Sequence, residues 1–151
     1  MIPAKELTTG NLIIWNPKLT NPDSTLSAML IEVSGVMKDK VTYVFPNIEN
    51  RVEPFEDDVA QTGVSYKPLT ELEPIKLTED ILVNSGFIKK GGLLSSKHFE
   101  KGKLELKQVD DHFELASFPN SPAIKTVHQL QNLSFVLSGE EVEIRPHGQQ
   151  A

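Results

Sequence analysis

Apolar and polar positions alternate over short spans in the first third of the chain. Leu12-Ile13-Ile14-Trp15 is an apolar, β-prone run, and Asn16-Pro17 to Pro22-Asp23 then places two prolines where no regular element continues. Met29, Ile31 and Val33 alternate with Leu30, Glu32 and Ser34. After a Lys38-Asp39-Lys40 turn, Val41, Tyr43 and Phe45 alternate with Thr42 and Val44, which predicts an antiparallel hairpin. Ile48 to Phe55 predicts another strand, with Pro54 near its end, and the acidic Glu56-Asp57-Asp58 run reads as a solvated loop. Residues 59–76 contain Gly63, Pro68 and Pro74 with weak periodicity and read as a connector.

A helix follows. Thr78 is a good N-cap, Glu79 and Asp80 place negative charge in the first turn, and Leu77 and Leu82 occupy the positions of a hydrophobic staple. Gly86 suits a left-handed C′ residue with Phe87 at C″, so the helix stops after about two turns. Gly91-Gly92 then breaks the chain. Leu104 and Leu106 alternate with Lys103, Glu105 and Lys107, Asp110-Asp111 turns the chain, and Phe113 and Leu115 lie on the returning strand. Pro119-Asn120-Ser121-Pro122 closes the hairpin, and a second helix is predicted from about Val127 to Leu137. On a 3.6-residue wheel, Val127, Leu130, Leu133, Val136 and Leu137 form its core face. Val142 to Ile144 predicts a last strand, and residues 147–151 a frayed tail.

These elements predict an α+β protein: an N-terminal small antiparallel β-barrel over 1–72, then an α+β part over 73–146 with two helices and a β-hairpin. The opening Leu7-x-x-Gly10-Asn11-Leu12-Ile13 is similar to the Gly-Asp-x-Val entry of SH3-like barrels, where glycine allows a tight turn into the first strand. That likeness speaks to fold and selects no function, because such barrels host peptide, nucleic-acid and structural roles.

Three segments carry a second resemblance: Ala4 to Ile13, Glu73-Pro74-Ile75-Lys76-Leu77-Thr78-Glu79 through Phe87, and Val127 to Glu141 with its His128-Gln129-Leu130-Gln131-Asn132-Leu133 string. Together they resemble a family of small uncharacterised proteins of gut-type anaerobic bacteria and their prophages. The resemblance implies a bacterial or phage origin and brings no catalytic residues. Thr9 stands where that family usually has an apolar residue, and Ser134 where it usually has an aromatic, a change expected to alter a helix surface.

Composition narrows the chemistry. The 151 residues contain no cysteine, which excludes disulfides, thiol nucleophiles and thiolate zinc sites. No stretch approaches the ~20 apolar residues of a membrane helix and the N-terminus lacks the apolar core of a secretory signal, so a cytoplasmic protein is expected, in a bacterial or infected cell. A net charge of −6 argues against generic binding to nucleic acid or anionic membrane. Six lysines between Phe87 and Lys107, among them Lys89, Lys90 and Lys97, face only Glu100 and Glu105, so a local basic region remains.

Asp110, Asp111, His112 and Glu114 are four potential ligands in five residues. Asp-Asp is a common hairpin tip, however, and alternation along a strand lets His112 and Glu114 converge while Asp111 points away, so no metal is expected. There is no Gly-x-Ser-x-Gly elbow and no His-Glu-x-x-His pair, and Gly91 to Lys97 lacks Walker spacing, which leaves it a turn. No catalytic residue and no cofactor is nominated. Opposite the expected core face of the second helix, His128, Gln131, Asn132 and Phe135 fall at i, i+3, i+4 and i+7, an aromatic among polar groups that suits binding. The plainer account packs Phe135 under a neighbouring element and ties the polar groups to backbone.

The sequence therefore points to a non-enzymatic binding or adaptor protein with a protein partner or self-association. The alternatives are a small enzyme or sequestering protein that takes an anionic small molecule at Lys89, Lys90 and Lys97, and a structural component of a phage particle.

Overall fold

In the computed structural model, the described residues are 2–46, 65–91, 97–118, 121–140 and 142–145. The strand expected over Ile48 to Phe55, the acidic loop after it, most of the Gly91–Lys97 turn, Pro119-Asn120 and the 147–151 tail lie outside them. Both helices and both sheets appear, so the fold is mixed α and β, and the chain divides into two compact units, 1–75 and 76–151.

The first unit is built on β1 (Leu12–Trp15), β2 (Met29–Val36), β3 (Lys40–Val44), β4 (Tyr66–Pro68) and β5 (Leu72–Glu73). They form one curled antiparallel sheet in the order β4-β3-β2-β1-β5. Its entry is set by the Gly10-Asn11 pair. Gly10 takes φ 97°, and the Asn11 side chain accepts the Thr8 N–H at 2.8 Å. The Gly10 N–H reaches the Val33 carbonyl at 2.7 Å, which locks the turn to β2. A bulge between Val33 and Gly35 interrupts the β2–β3 register, and bulges add local twist and bend to a strand pair. Ile13, Trp15, Ile31, Val33, Val41 and Leu72 are buried on the inner face with Ile2, Leu7 and Leu69.

The stretch read as a connector does more than connect. Residues 66–73 supply β4, a 3-10 turn over Leu69–Glu71, and β5, which returns to pair with β1. Segments of two and three residues are too short to show a hydrophobic period, so their strand character comes from the neighbours they pair with.

The second unit holds β6 (Ile88–Lys90), β7 (His98–Lys101), β8 (Leu104–Val109) and β9 (His112–Leu115), consecutive in one antiparallel sheet, with α1 (Glu79–Asn84) and α2 (Val127–Ser138). Phe99 and Phe113 are buried and meet edge to face at 5.7 Å, Phe99 paired with buried Leu106 and Phe113 with buried Ile124, and Val127 and Leu130 of α2 are buried too. Val142 to Ile144 is not a strand. Both apolar residues are buried all the same, and Arg145 N–H donates to the Ser85 hydroxyl at 2.7 Å, so residues 142–145 are tied to a cap residue of α1 and not to a ladder.

Candidate binding surface

The start of α2 is strongly specified. Thr126 accepts the Gln129 N–H at 3.3 Å and Gln129 Oε1 accepts the Thr126 N–H at 3.2 Å, a reciprocal capping box. At the other end Gly139 takes φ 75° and its N–H reaches the Phe135 carbonyl. Between these caps the helix does not bury the expected face. Val127, His128, Leu130, Gln131 and Ser134 are buried, Asn132 and Leu133 are intermediate, and Phe135, Val136 and Leu137 are exposed at 56%, 78% and 49%.

This corrects two expectations. Val136 and Leu137 are not core, and His128 and Gln131 do not share an outward face with Phe135: His128 is 2% exposed, with Nδ1 3.2 Å from the Thr126 hydroxyl. Ser134 lies at no surface either, and its hydroxyl donates to the Glu140 carbonyl. The wheel failed because exposure follows position along the axis more than position around it. Phe135 has nearly the azimuth of His128 and Gln131, but it lies in the last turn, where every residue from 135 to 138 is exposed. Three consecutive large apolar side chains at 100° steps thus wrap the end of α2.

The lysines of the basic region are engaged locally. Lys89 and Lys97 both reach Glu79, at 2.5 and 3.3 Å, and Lys90 pairs with Glu100 at 2.6 Å. Lys101 donates to the Ser85 carbonyl at the end of α1, where a cation complements the helix dipole. Lys89 foremost, with Lys97, holds the Glu79 carboxyl below the usual carboxylate range. An incoming anion would have to compete with carboxylates already in place.

At the β8–β9 turn, Asp110 takes φ 52° and His112 is clasped from both sides. Glu114 Oε2 lies 3.0 Å from Nε2 and Asp111 Oδ1 lies 3.5 Å from Nδ1, so Asp111 converges on the ring where alternation had it pointing away. The turn, and not the strand, sets its direction. Glu114 first and Asp111 second raise the His112 pKa, and His112 lowers that of Asp111. Among the described residues no group of three or more His, Asp and Glu is disposed to hold a metal ion, and no helix is long and apolar enough to cross a membrane.

One further cluster gave no sequence signal. Lys67 Nζ lies 3.6 Å from the centroid of the Trp15 ring and 5.4 Å from that of Tyr43. The Trp15 indole donates to Glu71 Oε1 at 2.9 Å. Lys67 and Glu71 both fall in the stretch read as a connector, and only the alternation of aromatics in β3 hinted at one side of the cluster. No family model matches the chain, and no curated protein or solved structure does.

Proposed function

We propose that this chain is a non-enzymatic binding or adaptor protein of bacterial or phage origin that docks a protein partner on the last turn of α2. The exposure of Phe135, Val136 and Leu137 together carries the reading. Scattered surface apolar residues need no explanation, but three in succession on one rigid turn form a contiguous patch of the kind that partners cover. Asn132 lies one turn back at its margin, partly buried. The buried His128 and Gln131 support the turn from within and take no part in docking.

The anionic-ligand alternative loses support because Lys89, Lys90 and Lys97 already meet Glu79 and Glu100. For the first unit we propose the finer description of an SH3-like barrel. Its support is a meander of four strands followed by a 3-10 turn and a fifth strand that returns to β1.

The test separates docking from folding. Phe135→Ala with Val136→Ser and Leu137→Ser should leave the melting temperature within a few degrees of wild type, since little buried volume is lost. A photoreactive residue at position 136 should crosslink one discrete protein in cells of the source bacterium, or a second copy of the chain, and Phe135→Ala should abolish that adduct. A large loss of stability, or adducts unchanged by Phe135→Ala, would overturn the reading.

A further inference from the structure

The last turn of α2 borders a cleft of about 490 Å³ within the second unit, lined by Ser138 and Glu140, by Lys103 and Leu104 at the β7–β8 turn, and by Val142. Around the helix axis, Phe135 and Leu137 lie at about 60° and 100° to the two sides of Ser138. Exposed apolar side chains therefore flank the residue through which the helix meets the cleft. Leu104 and Val142 are buried and give the cleft an apolar wall.

The cleft carries opposite charges from two elements. Two of its charged residues are already committed: Lys101 donates to the Ser85 and Glu143 carbonyls, and the Glu143 carboxylate accepts from Arg145 at 2.9 Å. Lys103 and Glu140 differ. Both are exposed, and neither has an ion pair among the described residues, although both border the same cleft. Lys103 follows Gly102, whose φ of 59° fits the tight β7–β8 turn and presents the lysine at its tip. Glu140 follows the end of a helix with no basic residue in its last turn, so the carboxylate and the carbonyl end of the dipole put charge of one sign in one place. The end of α1, by contrast, is met by Lys101.

We propose that this surface is an interface for a second copy of the chain, in which a twofold axis sets Lys103 of each copy against Glu140 of the other and packs the two last turns of α2 together. The inference rests on the reading of that turn as a docking surface and names its occupant. A twofold contact uses one patch twice, so the patch must hold both members of every pair it forms. This one holds an unmatched cation and an unmatched anion beside an apolar turn. A partner of one charge would satisfy only half of it. Three apolar side chains and a cleft rim are less than the roughly 800 Å² that a standard interface buries on each partner, so the dimer should be weak.

Sedimentation equilibrium of the full chain from about 10 μM to about 1 mM covers the affinities of such a contact. Wild type should show a monomer–dimer equilibrium. Lys103→Glu alone, or Glu140→Lys alone, should weaken it roughly tenfold or more, because the axis counts each reversed pair twice. An equimolar mixture of the two variants should recover the wild-type dimer, since the mixed pair again sets opposite charges at both contacts. A pair formed within one chain would be mended only by combining both substitutions in that chain, so recovery on mixing is specific to contact between copies. Wild type monomeric throughout, a mixture that associates no better than its components, or a dimer undiminished by Phe135→Ala overturns the proposal. A monomeric wild type that still gives a discrete adduct with a different protein from position 136 removes the second copy and leaves the docking reading standing.

Discussion

His112 is the residue whose setting makes the sharpest statement about pH. The carboxylates of Glu114 and Asp111 stabilise the imidazolium, so its folded pKa lies above the ordinary value near 6.5. A group whose folded pKa is raised contributes stability that is fully present below its unfolded pKa. That contribution is lost as pH rises through the folded value, so the window opens near pH 6.5 and extends upward. Proton NMR should find His112 titrating above the ordinary histidine value in wild type and close to it in Glu114→Gln. A wild-type value at or below the ordinary one would contradict the clasped geometry. Two lysines also reach inward: Lys67 Nζ lies over the Trp15 ring, and Lys101 Nζ donates to the Ser85 carbonyl near the Phe87 ring.

Among the elements, α1 is defined almost wholly by its ends. Thr78 Oγ1 accepts the Ile81 N–H at 3.2 Å, Phe87 N–H reaches the Leu82 carbonyl at 3.0 Å, and Gly86 N–H reaches Val83 at 3.1 Å, a Schellman closure around a Gly86 of φ 94°. Thr78→Ala should cost about 0.5–2 kcal/mol. Gly86→Ala should cost roughly 1–2 kcal/mol through backbone strain alone, because a Cβ there would meet only the flexible end of Lys101 at 3.5 Å or more. Chemical denaturation measures both, and a Gly86→Ala variant as stable as wild type would contradict the left-handed cap. α2 teaches the opposite lesson. Its span was legible, but its buried side was not, since an amphipathic wheel assumes that packing extends the full length of a helix.

At the scale of the molecule, Lys89, Lys90 and Lys97 of the basic region are neutralised by carboxylates beside them. The basic region that stood out in the sequence is met by Glu79 from α1 and Glu100 from β7, so it presents no free cluster of Lys89, Lys90 and Lys97. Inorganic phosphate and nucleotides are therefore expected to leave the melting temperature unchanged at physiological salt, whereas a bound ligand would raise it. A rise of several degrees with any nucleotide would restore the anionic-ligand alternative. The exposed edge strand β6 is three residues long and carries Lys89 and Lys90, features that discourage strand-to-strand addition.

The sequence by itself determined what depends on near neighbours. The Gly10-Asn11 turn, the β2–β3 hairpin, the Thr78 and Gly86 caps, the β8–β9 hairpin and the span of α2 all rest on contacts a few residues apart, and each is written in local residue chemistry. Tertiary structure decided the rest. β4 and β5 exist because β3 and β1 offer them ladders, β6 and β7 pair although their sequences show no strand period, and the last turn of α2 is bare because burial ends before the helix does. Lys67, Trp15 and Tyr43 come together from β4, β1 and β3 across a curled sheet. Local patterns record which residues prefer to be buried. Which surface is there to bury them depends on strands brought together from distant parts of the chain, and no local period encodes that distance.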